Sequence, residues 1–176
     1  MTLEQKIKSN IRDVENFPTQ GILFKDITPL LLDPQLTNEI IDTMILQLSD
    51  VKIDAVCAIE SRGFLYGMVL ANKLNVPFIP VRKKGKLPGE TMEYTYELEY
   101  GSSTVEVHLQ DVKPGWNILI HDDLLATGGT ACAAAEIMLK LNAHVAAYAF
   151  IVELGFLGGK ERLKTYTDKI LSLTLY

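Results

Sequence analysis

The feature that most narrows the fold of this chain is a series of short, uninterrupted apolar runs separated by segments of helical spacing. Ala55-Val56-Cys57-Ala58-Ile59, introduced by Asp54, carries no polar side chain, the mark of a strand covered on both faces. Residues 64–74 follow as a helix. Pro77-Phe78-Ile79-Pro80-Val81 is a second strand, whose prolines put its ends near an edge. Asn117-Ile118-Leu119-Ile120-His121 is a third, residues 130–141 a helix, residues 144–152 a fourth strand and residues 169–173 a fifth. Strand alternating with helix predicts an α/β fold, a doubly wound, mainly parallel sheet of about five strands flanked by helices.

Composition agrees with one such domain over residues 1–176. With 48% apolar and 22% charged residues the chain is neither disordered nor a disulfide scaffold. A net charge of −5 argues against general nucleic-acid binding, which depends on neutralising phosphates. The apolar run 145–152 is far shorter than the ~18 residues of a membrane span. Cys57 and Cys132 lie in apolar segments and read as small buried hydrophobes in a reducing compartment. The N-terminus has no basic stretch leading into an apolar one, so a signal peptide is not expected and the expected location is cytoplasmic.

Residues 1–33 fall outside the alternation and read as an attached hood. Thr2-Leu3-Glu4-Gln5 forms a capping box for a helix predicted to run to about Val14. Residues 21–27 are a short strand or an ordered loop. Asp33-Pro34 then caps an amphipathic helix over residues 34–49. Residues 83–107 are predicted to be a flexible segment. In its first part, residues 83–90, apolar content is scarce and a mobile loop is expected. In its second, residues 94–100 and 103–107 alternate as a β-hairpin around Gly101-Ser102.

Ligands of open parallel sheets bind beyond the carboxyl ends of the strands. Reading past each strand gives Glu60-Ser61-Arg62-Gly63, then Arg82-Lys83-Lys84, then Asp122-Asp123 followed by Leu124-Leu125-Ala126-Thr127-Gly128-Gly129-Thr130. The last loop opens a helix with two glycines and two hydroxyls. Its backbone can approach a ligand closely, and free N–H groups at a helix start favour a phosphate. The two acids before it would repel a phosphate but suit sugar hydroxyls, so the pattern calls for a sugar phosphate; the plain alternative is a tight capped turn. Gly158-Gly159-Lys160-Glu161 lacks the first glycine and the Ser/Thr of a P-loop. His108, His121 and His144 are scattered, and no metal-ligand spacing is present.

The run from Ile118 to Thr130 resembles the phosphoribosyl-diphosphate (PRPP) motif of type I phosphoribosyltransferases. Its Leu-Leu-Ala-Thr-Gly-Gly-Thr version is similar to the adenine-using branch of that family. Phe17-Pro18-Thr19 with Gly21-Ile22-Leu23-Phe24, Glu60-Ser61-Arg62-Gly63-Phe64, Arg82-Lys83-Lys84-Gly85-Lys86-Leu87-Pro88-Gly89, Leu98-Glu99-Tyr100-Gly101 and Val152-Glu153-Leu154 match in the same order along nearly the whole chain. The resemblance implies purine salvage: ribose 5-phosphate passes from PRPP to N9 of adenine, giving AMP and pyrophosphate through an oxocarbenium-like transition state. It also implies a homodimer and Mg²⁺ held mainly by PRPP and water.

By the same resemblance, Ala126, Thr127, Gly128, Gly129 and Thr130 cradle the 5′-phosphate. Asp122 and Asp123 face the ribose hydroxyls and the developing cation. Ser61, Arg62, Arg82, Lys83 and Lys86 take the pyrophosphate, in a loop that in the family usually holds a non-proline cis peptide. Ile22, Leu23, Phe24 and Lys25 cover the adenine, and Glu99, with Tyr100 beside it, handles a purine proton. Phe24 read alone could be ordinary core, the basic loop a solvated one, and Glu99 one polar residue of a strand face. Two positions depart from the family pattern. Lys25 stands where arginine is usual, and His121 where an aliphatic residue is usual; the latter reads as a buried neutral ring or as a group acting on the adjacent acids. Two other readings differ in class or substrate: a PRPP-sensing regulator without catalysis, and the same transfer to another purine base.

Overall fold

The computed structural model describes residues 1–98 and 101–176. Helix α1 (Leu3–Asn10) starts at the expected capping box, where Thr2 Oγ1 accepts from the Gln5 N–H and the Gln5 side chain accepts from the Thr2 N–H. It ends four residues before Val14. The Ser9 and Asn10 side chains bond back to the Lys6 carbonyl, and Ile11 is already extended. The chain then forms β1 (Arg12–Glu15), which pairs antiparallel with β2 (Leu23–Asp26), so the predicted helical end is instead a strand of the hood. Helix α2 (Pro34–Gln47) is capped by Asp33, which accepts from the Gln35 and Leu36 N–H groups.

The main sheet is built from β3 (Ala55–Ile59), β4 (Phe78–Lys83), β5 (Thr91–Glu97), β6 (Ser102–His108), β7 (Asn117–Leu125), β8 (His144–Glu153) and β9 (Ile170–Leu175). Its order is β5-β6-β4-β3-β7-β8-β9. The five central and right-hand strands are parallel, as predicted, and the hairpin extends them to seven. The hairpin is longer than predicted: Thr91 pairs with His108 at its root and Glu97 with Ser102 near its tip. Pro80 is tolerated in β4 because β6 joins that strand only at Arg82 and Lys83.

Helix α3 (Gly63–Leu74) follows β3, and α4 (Gly129–Lys140) follows β7. The first connection leads to the strand on one side of β3 and the second to the strand on the other side of β7. Right-handed crossovers therefore put the two helices on opposite faces. The core divides in the same way. Ile118 and Ile120 of β7 pack with Ala134, Ile137 and Met138 of α4, whereas Leu119 packs with Tyr66 and Leu70 of α3 and with Ile40 and Met44 of α2. Cys57 is buried as expected, while Cys132 is only half-buried. The order reverses between β3 and β7, so the helices leaving these strands start side by side at the carboxyl edge, the usual place for a ligand.

Candidate active site

Strand β7 continues to Leu125 because β8 runs beside it to Glu153, so Asp122 and Asp123 belong to the strand end rather than to the loop. The next residues turn sharply. Gly128 caps α4 at φ +78, a left-handed conformation that favours glycine. The turn is then pressed from behind by Gly159, which starts the short helix α5 (Gly159–Leu163). A Cβ on Gly159 would collide with the Ala126 carbonyl and come within 3.1 Å of the Gly128 nitrogen. Arg162 of α5 adds a bond from its guanidinium to the Thr127 carbonyl, 3.0 Å. Residues 126–130, with Asp122 and Phe150, enclose a cavity of about 100 Å³ at the start of α4, where unpaired N–H groups point.

Beside it lies a larger cleft of about 360 Å³, lined by Glu60, Ser61, Arg62, Lys83, Asp122, Asp123, Leu124 and Phe24. Asp123 is buried, with its Oδ2 3.0 Å from Arg62 Nε. Burial pushes both carboxyls above the usual carboxylate range. The neighbouring Asp123 charge adds to this at Asp122, while the Arg62 guanidinium pulls Asp123 back. Arg62 also lies 4.8 Å from the centre of the Phe24 ring. It thereby links the acidic floor to the hood. The Glu60–Ser61 peptide is cis, as the resemblance implies. Under the hood, Val14, Phe17, Phe24, Asp26, Thr28 and Arg62 enclose a mostly apolar pocket of about 380 Å³ that shares Phe24 and Arg62 with the cleft. The site is thus a row: a small anion cavity, an acidic floor beside basic groups, and an apolar pocket.

Residues 31–171 match the family described as phosphoribosyl transferase domain. The adenine phosphoribosyltransferase of Cytophaga hutchinsonii is 51% identical over 174 residues, covering 99% of this chain and 96% of its own. The chain belongs to the adenine phosphoribosyltransferase family. The crystal structure of the Thermoanaerobacter pseudethanolicus adenine phosphoribosyltransferase superposes with a TM-score of 0.95 at 46% identity, covering 99% of this chain and 100% of that one. That of the Saccharomyces cerevisiae enzyme, complexed with adenine and an imino-altritol bisphosphate, gives 0.91 at 43%, covering 97% and 98%.

Within this adenine phosphoribosyltransferase fold, the structure brings Ala126, Thr127, Gly128, Gly129, Thr130, Asp122, Asp123, Ser61, Arg62, Lys83 and Phe24 to the two adjoining cavities. Arg82 reaches the same strand edge but is engaged by Glu60, whose Oε2 accepts from Arg82 Nε and from the Lys83 N–H, both at 2.9 Å. Lys86 is exposed in the turn after β4 and does not line the cleft. Ile22 and Leu23 are nearly half exposed near the hood turn, away from the pocket lining. Lys25 points to the opposite side of β2 from Phe24, because successive side chains of a strand alternate. Its ammonium pairs with Asp13 at 2.7 Å and lies 4.0 Å from the centre of the Tyr176 ring. Glu99 and Tyr100 lie outside the described residues.

Sequence reasoning missed several contributors. Glu60, left without a role there, orients the β4 end. Val14, Phe17, Asp26 and Thr28 line the apolar pocket; the alternation of β2 pairs Asp26 with Phe24 and could have signalled one of them. Gly159 does not belong to a P-loop, and its role as a close backbone contact leaves no trace in a motif. Residues 85–87, expected to be mobile, donate backbone N–H bonds to buried Glu106. Burial works against the Glu106 charge, but those bonds overcome it and hold the carboxyl below its usual range.

Proposed function

We propose that the chain transfers the ribose 5-phosphate group of PRPP to N9 of adenine, forming AMP and pyrophosphate in purine salvage. The observation that carries this is the row of cavities: an anion-sized cradle at the start of α4, two carboxyls next to it, basic groups beyond, and an apolar aromatic pocket under the hood. The 5′-phosphate fits the cradle, whose N–H groups and helix dipole favour a dianion. The ribose then lies over Asp122 and Asp123, whose oxygens accept from its hydroxyls. Those carboxylates also stabilise positive charge at C1 as the bond to pyrophosphate breaks. Ser61, Arg62 and Lys83 receive the diphosphate, with Lys86 supplying charge at the loop. Phe24 and Phe17, in edge contact at 5.1 Å, offer the base an apolar wall. Adenine N9 attacks from the face opposite the leaving group, which inverts C1.

Among the described residues no three His, Cys, Asp or Glu side chains come together as a metal cage. Asp123 Oδ2, buried and ion-paired with Arg62, and Asp122 beside it are hard oxygen donors suited to a magnesium ion that keeps its waters and binds substrate phosphates. When bound with PRPP, Mg²⁺ neutralises diphosphate charge and eases its departure; Asp122 and Asp123 would hold it through water. Glu99 is assigned the purine proton, which it accepts or shares, with Tyr100 next to it in the sequence. Location in the cytoplasm accords with the two free thiols. A homodimer, in which Arg82 serves the partner's pyrophosphate, is supported by Leu65 and Met68 standing 47% and 50% exposed on α3; sedimentation as a monomer would contradict it.

The reading is tested by titrating PRPP with Mg²⁺ into the protein and into Gly129→Asp. The added side chain would start against the Tyr96 ring at 3.4 Å and set a negative charge at the start of α4, which repels a bound phosphate. Loss of measurable PRPP binding with an unchanged circular dichroism spectrum is expected, and unchanged affinity would refute the cradle.

A further inference from the structure

Tyr96 lies on the far side of the cradle from the substrate. It projects from β5, where it pairs with Ser103, and reaches across to the first turn of α4. Its hydroxyl is 2.8 Å from Thr130 Oγ1. Its ring is laid against Gly129: a side chain starting at that glycine would meet Tyr96 Cδ2 at 3.4 Å. Gly129 is the wall between two cavities, the phosphate-sized one lined by Thr130 and one of about 300 Å³ behind it lined by Tyr96, Tyr94 and Arg162. The same residue therefore packs against the cradle and bonds to one of its hydroxyls from outside.

The direction of that bond has a chemical consequence. Each hydroxyl carries one proton and can accept further bonds. If Thr130 donates to Tyr96, its proton is used and it can offer a phosphate only lone pairs, which repel. If Tyr96 donates, the Thr130 proton is free. A phosphate monoester near neutral pH is mostly a dianion that accepts and does not donate, so its arrival selects the second arrangement and a chain Tyr96 O–H to Thr130 O–H to phosphate oxygen. Successive bonds in such a chain polarise one another.

We propose that Tyr96 is a positioning residue for PRPP: it fixes the Thr130 rotamer and leaves that hydroxyl's proton for the 5′-phosphate. This rests on the reading of residues 126–130 as the phosphate cradle. Tyr96→Phe keeps the ring on Gly129 and removes only the donor.

The test is PRPP titration by calorimetry, with Mg²⁺ and without adenine, on the wild-type protein, Tyr96→Phe, Thr130→Val and the double variant, with Tyr94→Phe as a neighbouring control. Expected are a loss of PRPP affinity of about three- to tenfold in Tyr96→Phe, the value of one such bond, no further loss when Tyr96→Phe is added to Thr130→Val, and no change in Tyr94→Phe. Steady-state assays should show KM for PRPP raised in Tyr96→Phe while KM for adenine and the melting temperature stay at wild-type values. Wild-type PRPP affinity in Tyr96→Phe, with Thr130→Val weakened, overturns the proposal and leaves the cradle reading intact. Wild-type affinity in Thr130→Val overturns both. An equal loss from Tyr96→Phe in both backgrounds means that the tyrosine hydroxyl does not act through Thr130, and overturns the relay.

Discussion

At the residue scale, His121 shows how a departure from a family pattern resolves. Its ring is fully buried, and its Nδ1 donates to the Ala149 carbonyl at 2.8 Å, which fixes a neutral tautomer. Burial lowers its pKa from 6.5 to about 4, against the smaller pull of that hydrogen bond. In the unfolded chain the ring takes up a proton near pH 6.5; in the folded protein it resists until about 4. Stability is therefore full above pH 6.5 and declines as pH falls toward 4, by roughly 3 kcal/mol from this residue. Denaturant titrations across this range should show that decline, and His121→Leu should flatten it; an equally steep acid limb in the variant would contradict the neutral-ring account. For Glu99 the expectation is kinetic. Positioned proton transfer contributes ~10²–10⁴-fold, so Glu99→Gln should lower kcat by about that factor with little change in PRPP affinity. Glu97→Gln, two residues away, should be near neutral, and the reverse pattern would return Glu99 to a surface role.

At the element scale, the turn at residues 126–130 depends on a neighbour that no motif announces. Gly159 touches the turn so closely that Gly159→Ala must push the Ala126 carbonyl or α5 aside. Overpacking of this kind costs ~1–3 kcal/mol. The variant should melt at lower temperature and bind PRPP more weakly, while Gly158→Ala, with open space around it but a left-handed φ of +68, should lose stability without losing PRPP affinity in proportion. Equal effects on PRPP binding would separate α5 from the cradle. The elements themselves were largely legible from the sequence. The continuous apolar runs gave the parallel strands, and the caps at Thr2 and Asp33 gave two helix starts. What was not legible depended on a distant partner. Residues 12–15 become a strand because β2 is there to pair with them, and β7 passes through two acids because β8 continues beside it. The turn at residues 85–87 is held by a carboxylate about twenty residues later in the chain.

At the scale of the whole molecule, the strand order and the handedness of its crossovers place two helix starts beside one acidic strand end, and the hood adds the apolar pocket at the open side. The motif residues converge there because of that topology, which is why the sequence could place residues 126–130, Asp122 and Asp123 together at one strand edge. The hood was only half legible: alternation along β2 sends Phe24 to the pocket and Lys25 to Asp13 and Tyr176, and a resemblance read as a continuous segment does not separate the two faces. The order of the cavities carries the central claim, that a purine held under the hood is joined to a ribose held over Asp122 and Asp123. The most direct measurement incubates the purified protein with PRPP, Mg²⁺ and, in separate reactions, adenine, hypoxanthine and guanine, and identifies the nucleotide and pyrophosphate released by mass spectrometry. AMP and pyrophosphate in equal amounts from adenine, with little product from the other two bases, is the expected result; no AMP, or guanine used as readily as adenine, would contradict the account.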